Sequence, residues 1–418
     1  MHPATHSAGP ADIDLSSLDF WRAPQEERHA AFARLRERAP VFFEEPDAGP
    51  VPAGPGYYAL VRHADVTEAS RSPQVFASEP SAVSIPDMPS DFAEYFGSMI
   101  NMDDPRHARL RRIVSRGFTP RMLARLEDGV RRQAEAIVDD LLEKGPCDFV
   151  SEVAARLPLA VICDMMGIPE SRRAMVFEHS NVVLAGNDPD YLGEDAETAI
   201  TRLLNAGAEL SALLGELAEL RRREPAEDLT SALANANIDG ESLSDQELGS
   251  FFILLAVAGN ETTRNAISHT LALLTDHPDQ RALWWEDFEG RAGTAVEEVV
   301  RYASPVTWMR RTLTRDHEMN GHRYRAGDKV LLVYPSANRD AAVFDDPDAF
   351  DITRSPNPHV GFGGPGPHFC LGAHLARREI TAMWRELHRR VPGIRAAGPP
   401  ERLLSSFVNG IKVLPCEF

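Results

Sequence analysis

Cysteine is scarce in this chain and scattered where it occurs. Cys147, Cys163, Cys370 and Cys416 form no Cys-x-x-Cys pair, so neither a disulfide framework nor a zinc cluster is expected. Long apolar runs are missing too. The longest, Phe251 to Ala258, is eight residues, whereas a membrane span needs roughly 20, so no span is expected. The opening segment, MHPATHSAGPADIDLSSLDF, lacks both the basic start and the apolar stretch of a secretory signal, which points to the cytoplasm. Basic residues are outnumbered, 44 against 63 acidic ones, for a net charge of −19. That balance repels phosphate backbones and anionic headgroups, and nucleic acid is not an expected partner.

No internal repeat, low-complexity tract or long linker interrupts the 418 residues. The economical reading is a polar amino-terminal tail over 1–20 and a single domain over 21–418. Helical patterning dominates from about residue 105, as in 121–144, where Leu126, Val130, Ala134, Ile137, Val138 and Leu141 share one stripe. Further helices are expected near 151–165, 170–184, 194–222, 245–275, 279–289, 292–302 and 371–391. Strand signals are few: 57–61, a pair within 310–334 with turns at Asn320-Gly321 and Ala326-Gly327-Asp328, and 411–414. The expected class is mainly α with small β-sheets.

Three segments do not fit an ordinary helical core. In SFFILLAVAGNETTRNAISHTLALL (250–274) the first two turns are apolar on every side, which predicts a helix running through the protein centre. Gly259, Glu261, Thr262 and Thr263 then interrupt it with groups that helix propensity does not favour. One reading is a proton path, in which Thr262 bends the backbone ladder and holds water while Glu261 relays protons. The other is structural: Glu261 pairs with Arg264 at i,i+3, and Thr262 bonds back to Ala258.

The second segment, NPHVGFGGPGPHFCLGAHLARRE (357–379), delivers Cys370 on a Gly- and Pro-rich loop just before a helix, where amides and the positive helix end favour a thiolate. A nucleophile, a metal ligand, a redox centre or an inert buried thiol all fit that placement. Its formal G-x-G-x-x-G match is discounted, since Pro365 and Pro367 remove amide donors and no strand-helix-strand unit follows. The third segment is TAVEEVVRY (294–302), where Glu298 and Arg301 can pair on one helix face.

Taken in order, AGNETT, then E-x-x-R, then F-G-G-x-G-x-H-x-C-L-G, the chain resembles the cytochrome P-450 haem-thiolate monooxygenases. The resemblance extends over nearly the whole chain through DIDLSSLDFW, EYFGSMI, DDPRHARLRRIVSRGFTP, ICDMMGIP, AGDKV, SANRD and CLGAHLARREI. Within the family it looks nearest to bacterial hydroxylases of methyl-branched lipids and to actinobacterial sterol side-chain oxidases. Phe362 stands eight residues before Cys370, a spacing similar to that group. Pro365 and Pro367 depart from the small residues usual there, and Ala185, Asn187, Thr307 and Trp308 depart from the pattern expected around the substrate.

The resemblance implies the family's triangular-prism fold and haem b (iron protoporphyrin IX) held through Cys370 as axial ligand. It implies that His107, Arg111, Arg311 and His368 meet the propionates and that Phe362 packs in the haem loop. Glu298 and Arg301 would form a buried lock with Arg339. Gly259, Glu261 and Thr262 would hold O2 and deliver protons. Ala258, Val306, Thr307, Phe407 and Val408, with the 77–100 loop and the 170–215 helices, would line the substrate pocket. Electrons from NAD(P)H would arrive through a ferredoxin and its reductase, since no flavin or iron–sulfur segment is present, docking on Arg109, Arg112, Arg116, Arg377 and Arg378. The implied reaction is terminal (omega) hydroxylation of a methyl-branched lipid by a monomeric enzyme. Hydroxylation of a sterol or terpenoid is the alternative, and a non-catalytic haem-binding protein a further one.

Overall fold

The computed structural model describes residues 12–45, 54–117, 120–184, 188–193, 195–237 and 240–418. Ala185 and Asn187 lie outside them. The longest helix, Asp245–Asp276, starts at a capping box: the Ser244 hydroxyl accepts the Glu247 N–H while the Glu247 carboxylate accepts that of Ser244. Helices Arg156–Met166, Glu170–Leu184, Ala196–Arg223, Phe288–Ala303 and Ala373–Arg390 pack around it, which is why a sequence apolar on all sides is stable there. Its backbone stays helical through Gly259–Thr263.

A five-stranded sheet lies beside the helices in the order Val41–Phe43, Tyr57–Leu60, Lys329–Val333, Trp308–Leu313 and Phe76–Ala77. Tyr57–Leu60 runs parallel to Lys329–Val333 with Ala59 opposite Leu331, and Trp308–Leu313 runs antiparallel with Arg311 opposite Val330. Strand alternation sends neighbouring arginines to opposite faces. Arg310 donates to the Ile85 carbonyl at 2.9 Å, while Arg311 reaches the interior cavity. The turn at Asn320-Gly321 has φ of 51° and 74°, the left-handed pair that closes a tight hairpin between His317–Met319 and His322–Tyr324.

Two expectations change. The segment expected to be a free tail is packed from Ile13 onward, because Ile13 and Leu15 join Trp21 and Phe32 in a core under the sheet and the Trp21 indole donates to the Leu15 carbonyl at 2.9 Å. Short strands such as Phe76–Ala77, Arg395–Ala396 and Pro415–Glu417 were not foreseen, since two or three residues carry no readable period. Pro415–Glu417 pairs with Cys147–Asp148 and sets Cys416 opposite Cys147, with the free thiols 3.9 Å apart. Among the described residues no helix is long and apolar enough to cross a membrane.

Candidate active site

A cavity of about 510 Å³ lies between the central helix, the Cys370 loop and the sheet. Ala258, Gly259, Thr262, Thr263 and Ala266 form its face on the central helix, a stripe with the i, i+1, i+4, i+5, i+8 spacing of one helix side. Cys370, Phe362, Gly361 and Gly363 face it from the loop, and His107, Arg111, Arg311, His368 and Tyr334 complete one end. Ala82, Met99, Ile100, Phe251, Leu254, Leu255, Val306 and Met309 give the rest an apolar wall.

The loop is closed on itself. The Cys370 N–H donates to the Phe362 carbonyl at 2.9 Å, and the Gly363 N–H donates to that of Val360 at 2.9 Å. Gly363, Gly364 and Gly366 have φ of 94°, 71° and 146°, and a Cβ on Gly366 would stand 2.1 Å from the Ser70 carbonyl oxygen, so only glycine fits. The Arg377 guanidinium lies 4.3 Å over the Phe362 ring and donates to Glu297, which also meets His359 at 2.8 Å. Cys370 is exposed to the cavity, not to the outer surface. Burial pushes its thiol up, against the Gly372 amide, the Arg111 and Arg377 charges and the Ala373 amide. Amides and the helix end therefore act as the sequence suggests, and burial outweighs them.

Beside the cysteine loop four basic side chains converge on the cavity. The His107 and His368 rings are 4.1 Å apart. Burial first, then the charges of Arg311, His107 and Arg111, takes His368 down to about 2, and burial and Arg111 also lower His107. His107 Nε2 and the Tyr334 hydroxyl are buried without a hydrogen-bond partner. Arg311 is almost fully buried and donates to the Arg310 carbonyl at 2.6 Å, and Arg111 donates to that of Phe369 at 2.6 Å. Among the described residues the only carboxyl on the cavity lining is Glu379, and no Coulomb coupling to these cations acts on it. Two guanidiniums at the cavity, Arg311 buried and Arg111 half-buried, beside imidazoles that burial keeps neutral, of which His107 has Asp104 at 3.4 Å, favour an anion there. A flat cofactor with two carboxylates at one edge, over a cysteine sulfur, fits this donor set.

A family model described as cytochrome P450 matches residues 293–388. The chain is 52% identical over 409 residues to the methyl-branched lipid omega-hydroxylase of Mycobacterium tuberculosis, covering 97% of this chain and 94% of that protein. This chain belongs to the cytochrome P450 family. It is 42% identical to the steroid C26-monooxygenase of Mycolicibacterium smegmatis, covering 96% of this chain and 93% of that one. A Mycobacterium marinum cytochrome P450 solved in complex with pseudoionone superposes with a TM-score of 0.92 at 42% identity, covering 99% of this chain and all of that one. The chain is thus a haem-dependent monooxygenase with the mainly α fold of its family, using O2 and external reducing equivalents.

Within this P450 several residues stand elsewhere than expected. Glu261 does not line the cavity. It is buried on another face, paired with Arg264 and accepting from Asn265 Nδ2 at 3.0 Å, because three residues from Ala258 and one from Thr262 turn it off the lining stripe. Thr262 lines the cavity but donates to the Ala258 carbonyl at 2.8 Å. Both contacts of the structural reading are therefore present in the helix. Gly259 borders the cavity, and its missing side chain also leaves room for Ile162, whose Cδ1 would be 2.6 Å from a Cβ there.

Glu298 and Arg301 form a bidentate pair at 2.7 and 2.8 Å, both fully buried. The third member is Arg354, 3.3 Å from Glu298. Arg339 instead stacks on Tyr302 at 4.2 Å and approaches Asp348 at 3.5 Å, since the SANRD segment reaches the pair only through its Asn338 carbonyl.

In the expected pocket, Ala258 and Val306 line the cavity, but Thr307, Phe407 and Val408 do not. Val408 bridges Val306 from behind, the Phe407 carbonyl accepts from Thr307, and the Phe407 ring packs on Trp308 at 5.0 Å. No described residue of 170–215 lines it; Ile162 and Met165 do. The arginine patch is largely neutralised: Arg109 pairs with Glu247, Arg112 with Glu241, Arg377 with Glu297 and Arg378 with Glu127. Arg116 is exposed. Tyr334 and Glu379 were missed by the sequence reading. Glu379 had a signal, an acid on the apolar stripe that continues through Ile380, Met383 and Leu387.

Proposed function

We propose that this P450 hydroxylates the terminal carbon of a methyl-branched lipid. The observation that carries the reading is the 52% identity, across 97% of the chain, to a protein named for that reaction. The wall of Met99, Ile100, Phe251, Leu254, Leu255 and Met309 supports it, since it offers a chain no polar anchor and selects by shape. Placing a terminal methyl rather than a weaker internal C–H bond at the reaction centre is then a matter of restraint by these side chains.

In this reading Cys370 Sγ holds the haem iron, and His107, Arg111, Arg311 and His368 hold its propionates, with His107 Nε2 gaining the partner it otherwise lacks. Haem, when bound, supplies the activation of O2. Thr262 Oγ1 presents its lone pairs to the cavity while its hydrogen is held by Ala258. Ala258 and Val306, both on the cavity lining, confine substrate. Electrons come from NAD(P)H through a ferredoxin and its reductase, in the cytoplasm, to a monomer. Docking there depends on shape and on a few exposed charges such as Arg116, because the other arginines of the patch are paired. Ferredoxin reduction rates that change little with added salt would agree with this, and a steep fall would restore strong steering.

The test is an optical titration of the haem-loaded enzyme with a methyl-branched fatty acid, its straight-chain isomer and a sterol, followed by product analysis. A saturable spin-state shift favouring the branched acid, with the oxygen on its terminal carbon, is the expected result. Preference for the sterol would move the assignment to the steroid hydroxylases, to one of which the chain is 42% identical.

A further inference from the structure

Buried arginine in this acidic chain ordinarily finds a carboxylate. Acidic residues outnumber basic ones by 63 to 44, and the buried guanidiniums of Arg264, Arg301 and Arg310 pair with Glu261, Glu298 and Asp87. Arg28 and Arg402 do not follow that rule. Arg28 is 9% exposed, and its Nε, like Nη1 of Arg402, is buried with no hydrogen-bond partner. Among the described residues neither guanidinium enters an ion pair or a hydrogen bond. Asp276, an exposed carboxylate, acts on Arg402 only from a distance.

The two guanidiniums belong to one place in the fold. Gln25, at the start of helix Gln25–Arg38, donates to Asn409 Oδ1 at 3.0 Å, and His269 Nε2, on the central helix, donates to the Asn409 carbonyl at 2.8 Å. Arg28 follows Gln25 by one turn on the same helix face, and Arg402 pairs with Ile411 across the hairpin that carries Asn409. Their charges bear on one another. Burial first, then Arg402, brings Arg28 down to about 10. Burial first, then Arg402 and more weakly Arg28, takes His269 down to about 3 against the Asn409 hydrogen bond, so its ring is neutral. Two like charges held together with unpartnered N–H groups are costly unless an anion meets them. None of Arg28, His269 and Arg402 lines the active-site cavity.

We propose that Arg28 and Arg402 form a binding site for inorganic phosphate, separate from the active site, where helix Gln25–Arg38, the central helix and the 401–413 hairpin meet. One guanidinium fork suffices for a carboxylate; two forks offer enough N–H donors for a tetrahedral oxyanion and match its charge. Arg402 is half-buried, so the anion enters from its side. Bound there, phosphate ties the amino-terminal helix to the hairpin and stabilises the fold without touching the chemistry.

The experiment follows thermal unfolding of the haem-loaded protein in inorganic phosphate and in chloride at equal ionic strength, for wild type, Arg28→Met, Arg402→Met and Arg402→Lys. Wild type should show a saturable rise of a few degrees in phosphate over chloride. Both methionine variants should lose that rise and, in chloride, be no less stable than wild type, since a repelling charge is gone. Arg402→Lys, which keeps the charge and loses the fork, should retain part of it. Calorimetric titration should find a single phosphate per chain in wild type and none in the double methionine variant. An equal phosphate response in wild type and the methionine variants, or no response beyond that to chloride, overturns the proposal. Should Arg28→Met fail to fold, Arg402→Met and its titration decide in the same way. The identity of the substrate plays no part in these measurements.

Discussion

Two Glu-x-x-Arg pairs, 37 residues apart in this chain, share the same i,i+3 geometry and opposite surroundings. Around Glu298 and Arg301 nearly every polar group is satisfied. Arg301 donates to the carbonyls of Asn338, Pro347 and Ala349, each at 2.8 Å. Glu298 accepts the Asp351 N–H at 2.8 Å, Asn357 Nδ2 at 3.1 Å and an approach from Arg354. Around Glu261 and Arg264 the network is thinner: Arg264 donates to Asn181 at 2.7 Å, while Glu261 Oε2 and Arg264 Nε have no partner. The first pair stitches its own helix to Asn338 and to the 345–357 segment. The second joins the central helix to helix Glu170–Leu184. Spacing alone does not separate a lock from a local tie; the groups left over do.

The largest expected effect is at the lock. Arg301→Leu would strand a buried carboxylate and three carbonyls, costing about 3–5 kcal/mol or more, and denaturant unfolding together with haem uptake would register it. The comparison sharpens in double variants. Glu261→Gln with Arg264→Met should lie within about 1–2 kcal/mol of wild type, because few other groups lose partners, whereas Glu298→Gln with Arg301→Met should remain nearly as unstable as the single change. A double-mutant cycle in which both pairs behaved alike would erase the distinction. A smaller difference separates the arginines around the lock. Arg354→Ala should destabilise and loosen the 345–357 segment, while Arg339→Ala loses stacking on Tyr302 worth about 1–2 kcal/mol without disturbing Glu298. Hydrogen exchange at Asp351 would tell them apart.

The smallest effect is one of pH. Burial raises the Glu297 carboxyl, but hydrogen bonds and charge from Arg377 and His359 outweigh it and bring it to about 2, against an ordinary 4.5. A depressed carboxylate contributes stability that is present above pH 4.5 and withdrawn as pH falls toward 2. Glu297→Gln should therefore flatten the acid side of the stability profile and leave the slope above neutrality unchanged. A profile parallel to wild type through the acid range would mean that the Arg377 and His359 contacts add nothing to the folded state.

Much of the site was legible because its parts are local. A glycine-rich loop ending in Cys370 announces itself through residues that only such a backbone tolerates, and Glu298 and Arg301 pair within one helical turn. The central helix was readable from its apolar start, and its cavity stripe from the 3.6-residue period. Facing was less legible: Glu261 sits next to Thr262 in sequence and about 100° away around the helix. The resemblance implied Arg339 as the third member of the lock, and no local pattern in the sequence points to Arg354, which approaches Glu298 from a separate loop.

What the sequence determined by itself was the central helix, the glycine-rich cysteine loop and the Glu298–Arg301 spacing, because each is encoded within a turn or a loop; the class of chemistry followed from the order of these segments, which resembles a known family. Tertiary structure alone decided that Glu261 is turned aside, that Val408 backs Val306 instead of lining the cavity, that Arg354 completes the lock, and that Glu379 is the acid on the cavity wall. Those outcomes depend on which surfaces meet across hundreds of residues, and burial and partner supply at such meetings are properties of the packed molecule.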